Sequence, residues 1–434
     1  MDSNLPRLYK NYGQYSNYRN FPNEIDGCKP VEKRVLFSAY KIARDKFVKS
    51  RQVDAFTIGN YHPHGSTYGT IVQLVRQGFL TGQGNFGSNV GIEPVGAAAD
   101  RYTECKLASQ MINLSFKYIK YVPHIDTELG SKEPIFLPTL FPLCLIGTEY
   151  TQGIGFGYRT FIPNYDIKDL YKRLLWLLKI RKRKPIILPI TDCTMMATNE
   201  DIEKLLTIGK AKLDVEGIID ISTRNSSVIL KSWPYGKRFQ SILNKFSKEL
   251  NDRMVGFTDL STNETKIVFQ VLRERNRIKI FKEFVLKLKE VIKGAVSFEI
   301  NVVDSNNKVF TKSVDNMILD TYKMFSLANK KMLETEIFKV NEIIDEYKIL
   351  EKIKKPLIKC IGEQKTIEES CDIIYQKVKV EKEITAMLIE KYKIKKLLTI
   401  NTDTTQLSNK INDFTNKLNN LSDFVLEQYE TFIN

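Results

Sequence analysis

The side chains best suited to chemistry fall in five short blocks before residue 160. The first runs from Arg19-Asn-Phe-Pro22 through Asp26-Gly27 to Lys29-Pro30-Val-Glu-Lys33-Arg34. The second is Gly59-Asn-Tyr61-His62-Pro63-His64-Gly65, and the third is Gly82-Gln83-Gly84-Asn85-Phe86-Gly87-Ser88. The fourth is Ala97-Ala98-Ala99-Asp100-Arg101-Tyr102-Thr103-Glu104, and the fifth is Gly153-Ile154-Gly155-Phe156-Gly157. Each block is weak alone. A His-x-His pair suits two metal ligands or a plain surface loop, and a glycine run suits a phosphate cradle or a turn. The Gly-x-Gly-x-Gly segment lacks the strand–turn–helix frame of a dinucleotide site, with an acidic residue about 20 positions on. Tyr102 offers a nucleophilic phenol, although any one of the 20 tyrosines is more often a packing residue. Arg101 at a helical spacing from Glu104 suits a surface ion pair of about 1 kcal/mol or less.

Positioning these blocks requires ordered elements around them. Pro30 opens a helical pattern with Val31, Val35, Leu36, Ala39, Ile42, Ala43 and Phe47 on one face, and Lys33, Lys41 and Arg44 on another. Dense glycines from Gly59 to Gly96 predict functional loops around a short helix near Thr70–Gln77. A second helix is expected from Ala97 to Phe116. Short helices joined by such loops suit a helix-turn-helix type of module. Residues 1–24 lack periodicity and read as an arm.

Residues 151–320 alternate helices with β-rich runs at Pro185–Ile190, Gly217–Ile221, Ser227–Ser232, Lys266–Val271 and Val296–Val303, an α+β region. Residues 322–360 and 400–432 read as two long charged helices with shorter helices around 366–399 between them. Leu407, Ile411, Phe414, Leu418, Leu421 and Val425 alternate spacings of four and three, which predicts an antiparallel coiled coil with a small tip domain.

Composition narrows the partners. The chain has 434 residues, with 66 Lys+Arg against 51 Asp+Glu and a formal net charge of +15. That length suggests about three domains, and 42% hydrophobic residues exclude global disorder. The positive excess favours nucleic acid over an anionic membrane surface, with simple solubility as the plain alternative. The longest apolar stretch, Ile135 to Gly147, is broken by Pro138 and Pro142 and falls short of the ~20 residues of a membrane helix. A soluble protein without a secretory signal is expected. Six scattered cysteines form no Cys-x-x-Cys pair, so neither zinc nor a disulfide scaffold is indicated, and a reducing compartment is expected. Three histidines are too few for a convincing metal centre.

Taken together, the order and spacing of the five blocks resemble the A subunit of type IIA DNA topoisomerases, the gyrase A and topoisomerase IV A family, in a short form like that of large tailed phages. The resemblance is strong over residues 15–165, weaker from Val255 to Arg273, and rests on pattern alone in the long helices. It implies a multidomain α+β fold: an N-terminal arm (1–24), a winged-helix DNA-gate domain (25–150), an α/β tower domain (151–320), and a long coiled coil with a C-gate dimerisation tip (321–434). Tyr102 matches the tyrosine that attacks a DNA phosphodiester and holds the 5′ end covalently. A phenol is only about 0.1% ionised at pH 7, so it needs electrostatic help. Arg101, Arg19 and His62 match the residues placed at the scissile phosphate, where guanidinium and imidazole donors suit the growing charge. Lys29, Lys33, Arg34 and His64 match positions along the DNA backbone, and Ile154 matches the wedge that unstacks and bends the duplex.

The sequence departs from the family in places. Glu32-Lys33-Arg34 replaces His-Arg-Arg, Ser66-Thr67-Tyr68-Gly69 shortens the start of the DNA-facing helix, and Asp100 replaces an apolar residue. The resemblance further implies Mg²⁺ held by the Toprim domain of a B-type partner and ATP bound by that partner. This chain has no Gly-x-x-x-x-Gly-Lys-[Ser/Thr] loop and no Asp-x-Asp pair. The implied partners are double-stranded DNA, a second copy of the chain and the B-type ATPase/Toprim subunit, in the cytoplasm. A chain stopping after the returning helix has no room for a DNA-wrapping β-pinwheel, so relaxation or decatenation is expected. A non-catalytic architectural DNA-binding protein is the alternative. A coiled-coil scaffold accounts only for the last third.

Overall fold

The computed structural model describes residues 5–272, 275–393 and 400–434. It divides into two compact units, Met1–Phe325 with Tyr429–Asn434, and Ser326–Gln428.

In the first unit the expected arm is a helix, α1 (Leu5–Asn20), largely exposed except at Gly13 and Asn17. The first helix predicted from periodicity is α2 (Pro30–Ile42). Pro30 supplies a preset φ and lacks an N–H that would be orphaned. The Glu32 carboxylate accepts the Lys29 N–H at 2.9 Å, half of a capping box. Glu32 therefore holds a helix end where the family has a base. Val35, Leu36 and Ala39 are buried as expected, but the helix stops at Ile42 and leaves Phe47 outside it and exposed. Two more helices follow, α3 (Ser50–Asn60) and α4 (Tyr68–Arg76).

These helices pack with a small antiparallel sheet made by β1 (Val48–Lys49), β2 (Leu80–Gln83) and β3 (Glu104–Leu107), in the order β1-β3-β2. Of the helix expected over Ala97–Phe116 only the end forms, as a short helical turn at Ile112–Phe116. Glu104–Leu107 instead pairs with β2, Cys105 opposite Gly82, and buries Cys105 and Leu107 on one face. The period-2 burial available in the sheet overrides the helix propensity of the alanines. A hairpin of β4 (His124–Asp126) and β5 (Lys132–Pro134) follows.

Beyond residue 150 the predicted α+β region is present. The hairpin β6 (Thr151–Ile154) and β7 (Arg159–Ile162) leads to α5 (Ile167–Leu177), β8 (Thr194–Met195), α6 (Asn199–Ile208) and β9 (Lys210–Glu216). Next come β10 (Ile219–Ser222), β11 (Ser227–Leu230), α7 (Phe239–Leu243), α8 (Ser247–Asn251), β12 (Val255–Asp259) and β13 (Ile267–Val271). The region closes with α9 (Arg277–Val291), β14 (Lys293–Glu299), β15 (Asn301–Val303) and β16 (Val309–Thr311). One sheet runs β6-β7-β14-β9-β8 and another β10-β11-β13-β12. The second sheet buries Val228, Leu230, Ile267 and Phe269 against Phe246, Phe281, Phe284 and Leu288. Pro185–Ile190 forms no strand, since its two prolines remove ladder donors. Arg273, where the resemblance fades, lies outside the described residues.

Arg173 on α5 is fully buried. Its Nε and Nη2 donate to Asp315 at 2.8 Å each, and Nη2 also donates to Glu203 at 2.8 Å. This triad fastens α5 to α6 and to the start of α10 (Val314–Gly362). Tyr429 is buried against Phe141, and its hydroxyl donates to the Leu140 carbonyl.

The second unit holds most of α10, then α11 (Ile367–Val378) and α12 (Lys382–Tyr392), around a core of Leu350, Ile353, Leu357, Ile374 and Leu388. The chain returns through α13 (Thr405–Asn419) and α14 (Leu421–Ile433). The predicted stripe from Leu407 to Leu421 is half-buried and Val425 is buried. Gln428 donates to the Asn329 side chain at 2.8 Å, tying the returning helix to the outgoing one. Residues 394–399 of the predicted tip lie outside the described residues. Among the described residues, no helix is long and apolar enough to cross a membrane.

Candidate functional site

Separated blocks of the sequence converge on one cleft of about 210 Å³, lined by Tyr15, Arg19, Lys29, Arg34, His62 and His64. The last turn of α1 brings Arg19, and the start of α2 brings Lys29 and Arg34. His62 and His64 sit on the loop after α3. Asp54 of α3 pins that loop by accepting the Thr67 N–H at 2.5 Å, the Thr67 hydroxyl at 2.7 Å and the Ser66 hydroxyl at 2.8 Å.

The electrostatics follow from one carboxylate. Glu133 of β5, 2% exposed, accepts Nε of Arg34 at 2.8 Å and Nη2 at 2.9 Å. The remaining Arg34 Nη1 lies 3.2 Å from His62 Nδ1. A guanidinium only donates, so Nδ1 is the acceptor and the imidazole proton sits on Nε2. Burial, with Arg34, His64 and Arg19 close by, lowers the His62 pKa to about 4. His62 is therefore a neutral hydrogen-bond donor at physiological pH. Its ring meets that of His64 edge-on at 5.1 Å, and the His64 Nε2 is hydrogen-bonded to the Tyr15 hydroxyl. The Arg19 guanidinium lies 5.7 Å from the Tyr15 ring centre. Lys29 Nζ donates to the Gln152 carbonyl at 2.7 Å.

Lys33 corrects an expectation. Its ammonium is buried and donates to the carbonyls of Pro134 and Ile135 at 2.8 and 3.0 Å. It anchors the end of the β4–β5 hairpin and has no open face toward a DNA backbone.

Tyr102 and Arg101 do not line this cleft. Tyr102 is 66% exposed, and the Arg101 guanidinium lies 4.6 Å from its ring centre. The ion pair weighed between Arg101 and Glu104 is not formed, because Glu104 pairs with Lys49 at 2.8 Å. One glycine of the run backs the tyrosine. Gly84, at φ +108°, lies so close that a Cβ would be 3.2 Å from the Tyr102 carbonyl. Ile154, 82% exposed, caps the β6–β7 hairpin opposite Arg159. Among the described residues, no three His, Cys, Asp or Glu side chains gather to hold a metal ion.

Sequence reasoning missed Glu133, Asp54 and Tyr15. Glu133 lies 99 positions from Arg34, and no local signal links the two.

Comparison with known proteins places the chain in a family. The family model for the A subunit of DNA gyrase/topoisomerase IV matches residues 19–430. The chain is 26% identical to the DNA gyrase A subunit of Mycolicibacterium smegmatis over 66% of its own length and 36% of the relative's. It is 28% identical to the DNA gyrase A subunit of Lawsonia intracellularis, over 72% and 41%. With the DNA topoisomerase 4 A subunit of Bacillus subtilis it shares 26% identity, over 80% and 45%. The matched segments span less than half the length of these relatives. A match running through the cleft, the hairpin and the long helices alike establishes that the chain belongs to the family of DNA gyrase/topoisomerase IV A subunits.

Proposed function

We propose that this chain is the DNA-cleaving and rejoining subunit of an ATP-dependent type IIA topoisomerase, acting as a homodimer with a B-type ATPase/Toprim partner. The observation that carries the reading is the basic cleft. Arg19, Lys29, Arg34, His62 and His64 come from three separate sequence blocks and line one concavity, while the tyrosine of the same motif set stands exposed. On this reading α2–α4 with the β1–β3 sheet are the winged-helix gate, the two larger sheets are the tower, and the second unit carries the exit gate.

The chemistry is an exchange of esters. The Tyr102 phenolate oxygen attacks phosphorus, the new O–P bond forms, and the P–O3′ bond breaks. The released 3′ oxygen takes a proton, and the 5′ phosphate stays on Tyr102. The ester keeps the bond energy, so reversal reseals the strand without a new energy source. Arg19 and neutral His62, donating from Nε2, stabilise charge on the phosphoryl oxygens. The cleft gathers the bases, and Tyr102 stands outside it. A second copy supplying its Tyr102 to this cleft accounts for both. Two such centres cut both strands and allow a second duplex to pass. Mg²⁺ and ATP belong to the partner.

The test combines the chain with a B-type gyrase or topoisomerase IV subunit, Mg²⁺, ATP and supercoiled DNA, stopped with detergent. Protein linked to 5′ DNA ends is expected and vanishes in Tyr102→Phe. Linked DNA persisting in that variant overturns the assignment.

A further inference from the structure

One helix touches both the cleft and the hairpin that carries Ile154. Asn17 of α1 clamps Phe156. Its Oδ1 accepts the Phe156 N–H at 2.6 Å, and its Nδ2 donates to the Phe156 carbonyl at 3.3 Å. The Phe156 ring packs against Tyr9 and Tyr12, with centroids 6.3 and 6.4 Å away. Below it, a Cβ on Gly13 would come within 2.9 Å of the ring. The glycines on either side of Ile154 let the hairpin lie flush on the helix. A Cβ on Gly153 would sit 2.2 Å from the Asn20 carbonyl oxygen, and one on Gly155 would sit 2.2 Å from Asn17 Oδ1. The same helix sends Tyr15 to His64 and Arg19 into the cleft. The most buried residues of α1, Gly13 and Asn17, face this hairpin.

We infer that α1 is a strut that fixes the hairpin tip relative to the phosphate cleft, so that Asn17, Tyr9, Tyr12 and Phe156 are positioning residues for DNA bending and act through Ile154. This rests on the reading of Ile154 as a wedge. Separating a base step costs a few kcal/mol. A wedge on an unsupported hairpin would swing away instead of opening the step. Here both neighbours of Ile154 lie against a helix that clamps Phe156 and whose other face joins the cleft. The bend therefore forms at a set distance from the phosphate.

The test uses the full chain on a short duplex labelled at both ends, with bending read by fluorescence transfer and binding by anisotropy. Tyr9→Ala with Tyr12→Ala alters exposed residues and leaves the fold intact. It should lower the bent fraction by about threefold or more, as expected for loss of two aromatic contacts, with little change in affinity. Tyr9→Phe with Tyr12→Phe keeps the rings and should bend DNA as the parent does. Asn17→Leu should match the alanine pair. If Asn17→Leu fails to fold, the surface pair alone decides. Parental bending in the alanine pair, with bending lost in Ile154→Ala, overturns the strut. Parental bending in Ile154→Ala overturns the wedge reading itself.

Discussion

Asp100 takes both arms of Arg51, Nε at 3.0 Å and Nη2 at 3.2 Å, two residues before Tyr102. This accounts for an acidic residue where the family has an apolar one. The pair ties the segment before Tyr102 to α3, and Arg51 holds the Asp100 carboxyl below the usual carboxylate range. Asp100→Ala removes a negative charge beside the proposed nucleophile and frees Arg51. Because the pair is exposed and screened by solvent, stability should change little. Duplex affinity should rise, and the slope of log K against log salt should steepen by about one unit. Anisotropy titrations at several salt concentrations measure both.

Arg19 and His62 are the cleft donors free to meet phosphoryl oxygens. Arg19→Ala and His62→Gln should each slow formation of the protein–DNA linkage by about 10²-fold or more. Binding of the uncut duplex should change far less, because phosphate contacts elsewhere carry the affinity. Detergent-trapped time courses against anisotropy separate the two effects.

Two buried groups oppose one another as pH falls. An unfolded imidazole titrates near 6.5, and His62 titrates at about 4 in the fold. Between those values the unfolded chain binds more protons, so the stability from His62 is lost as pH drops. Asp26 runs the other way. Burial, outweighing Lys33 and two backbone N–H bonds, raises its pKa to about 6, so its contribution is present at low pH and lost as pH rises toward 6. Relative to the parent, His62→Gln should gain stability as pH falls from 6.5 to 4. Asp26→Asn should gain as pH rises from 4 to 6. Urea melts across that range read the slopes.

Arg173→Met should destabilise the first unit by about 3–5 kcal/mol, because Asp315 is left as a buried charge without its partner. Adding Asp315→Leu should recover much of the loss, since an apolar pair of similar volume suits the same site. Chemical denaturation of the single and double variants measures the coupling.

Much of this was legible in the sequence. Pro30 and the spacing of Val35, Leu36 and Ala39 place α2, and the heptad stripe to Val425 marks the returning chain as helical but not its break at Asn420. The flanking glycines of Ile154 already indicate an exposed tip. The partners that fix charge and orientation were not legible. Asp54, Glu133 and Tyr15 act across 13, 99 and 49 positions, and only the folded chain brings them to the loop, the arginine and the histidine. Lys33 reads as one more base in a basic run, yet the β4–β5 hairpin covers it. The alanines before Tyr102 favour a helix locally, but strand pairing of Glu104–Leu107 wins.

Glu133 already neutralises Arg34, and His62 is uncharged at neutral pH. The net pull of the cleft on a distant anion is therefore small, since Glu32 and Glu128 line it alongside Arg19 and Lys29. Its remaining donors are directional and reach only as far as a hydrogen bond. Such a centre is a poor magnet and a good latch. A loose phosphate ion gains little there, whereas a backbone delivered in register by the rest of the surface meets every donor at once.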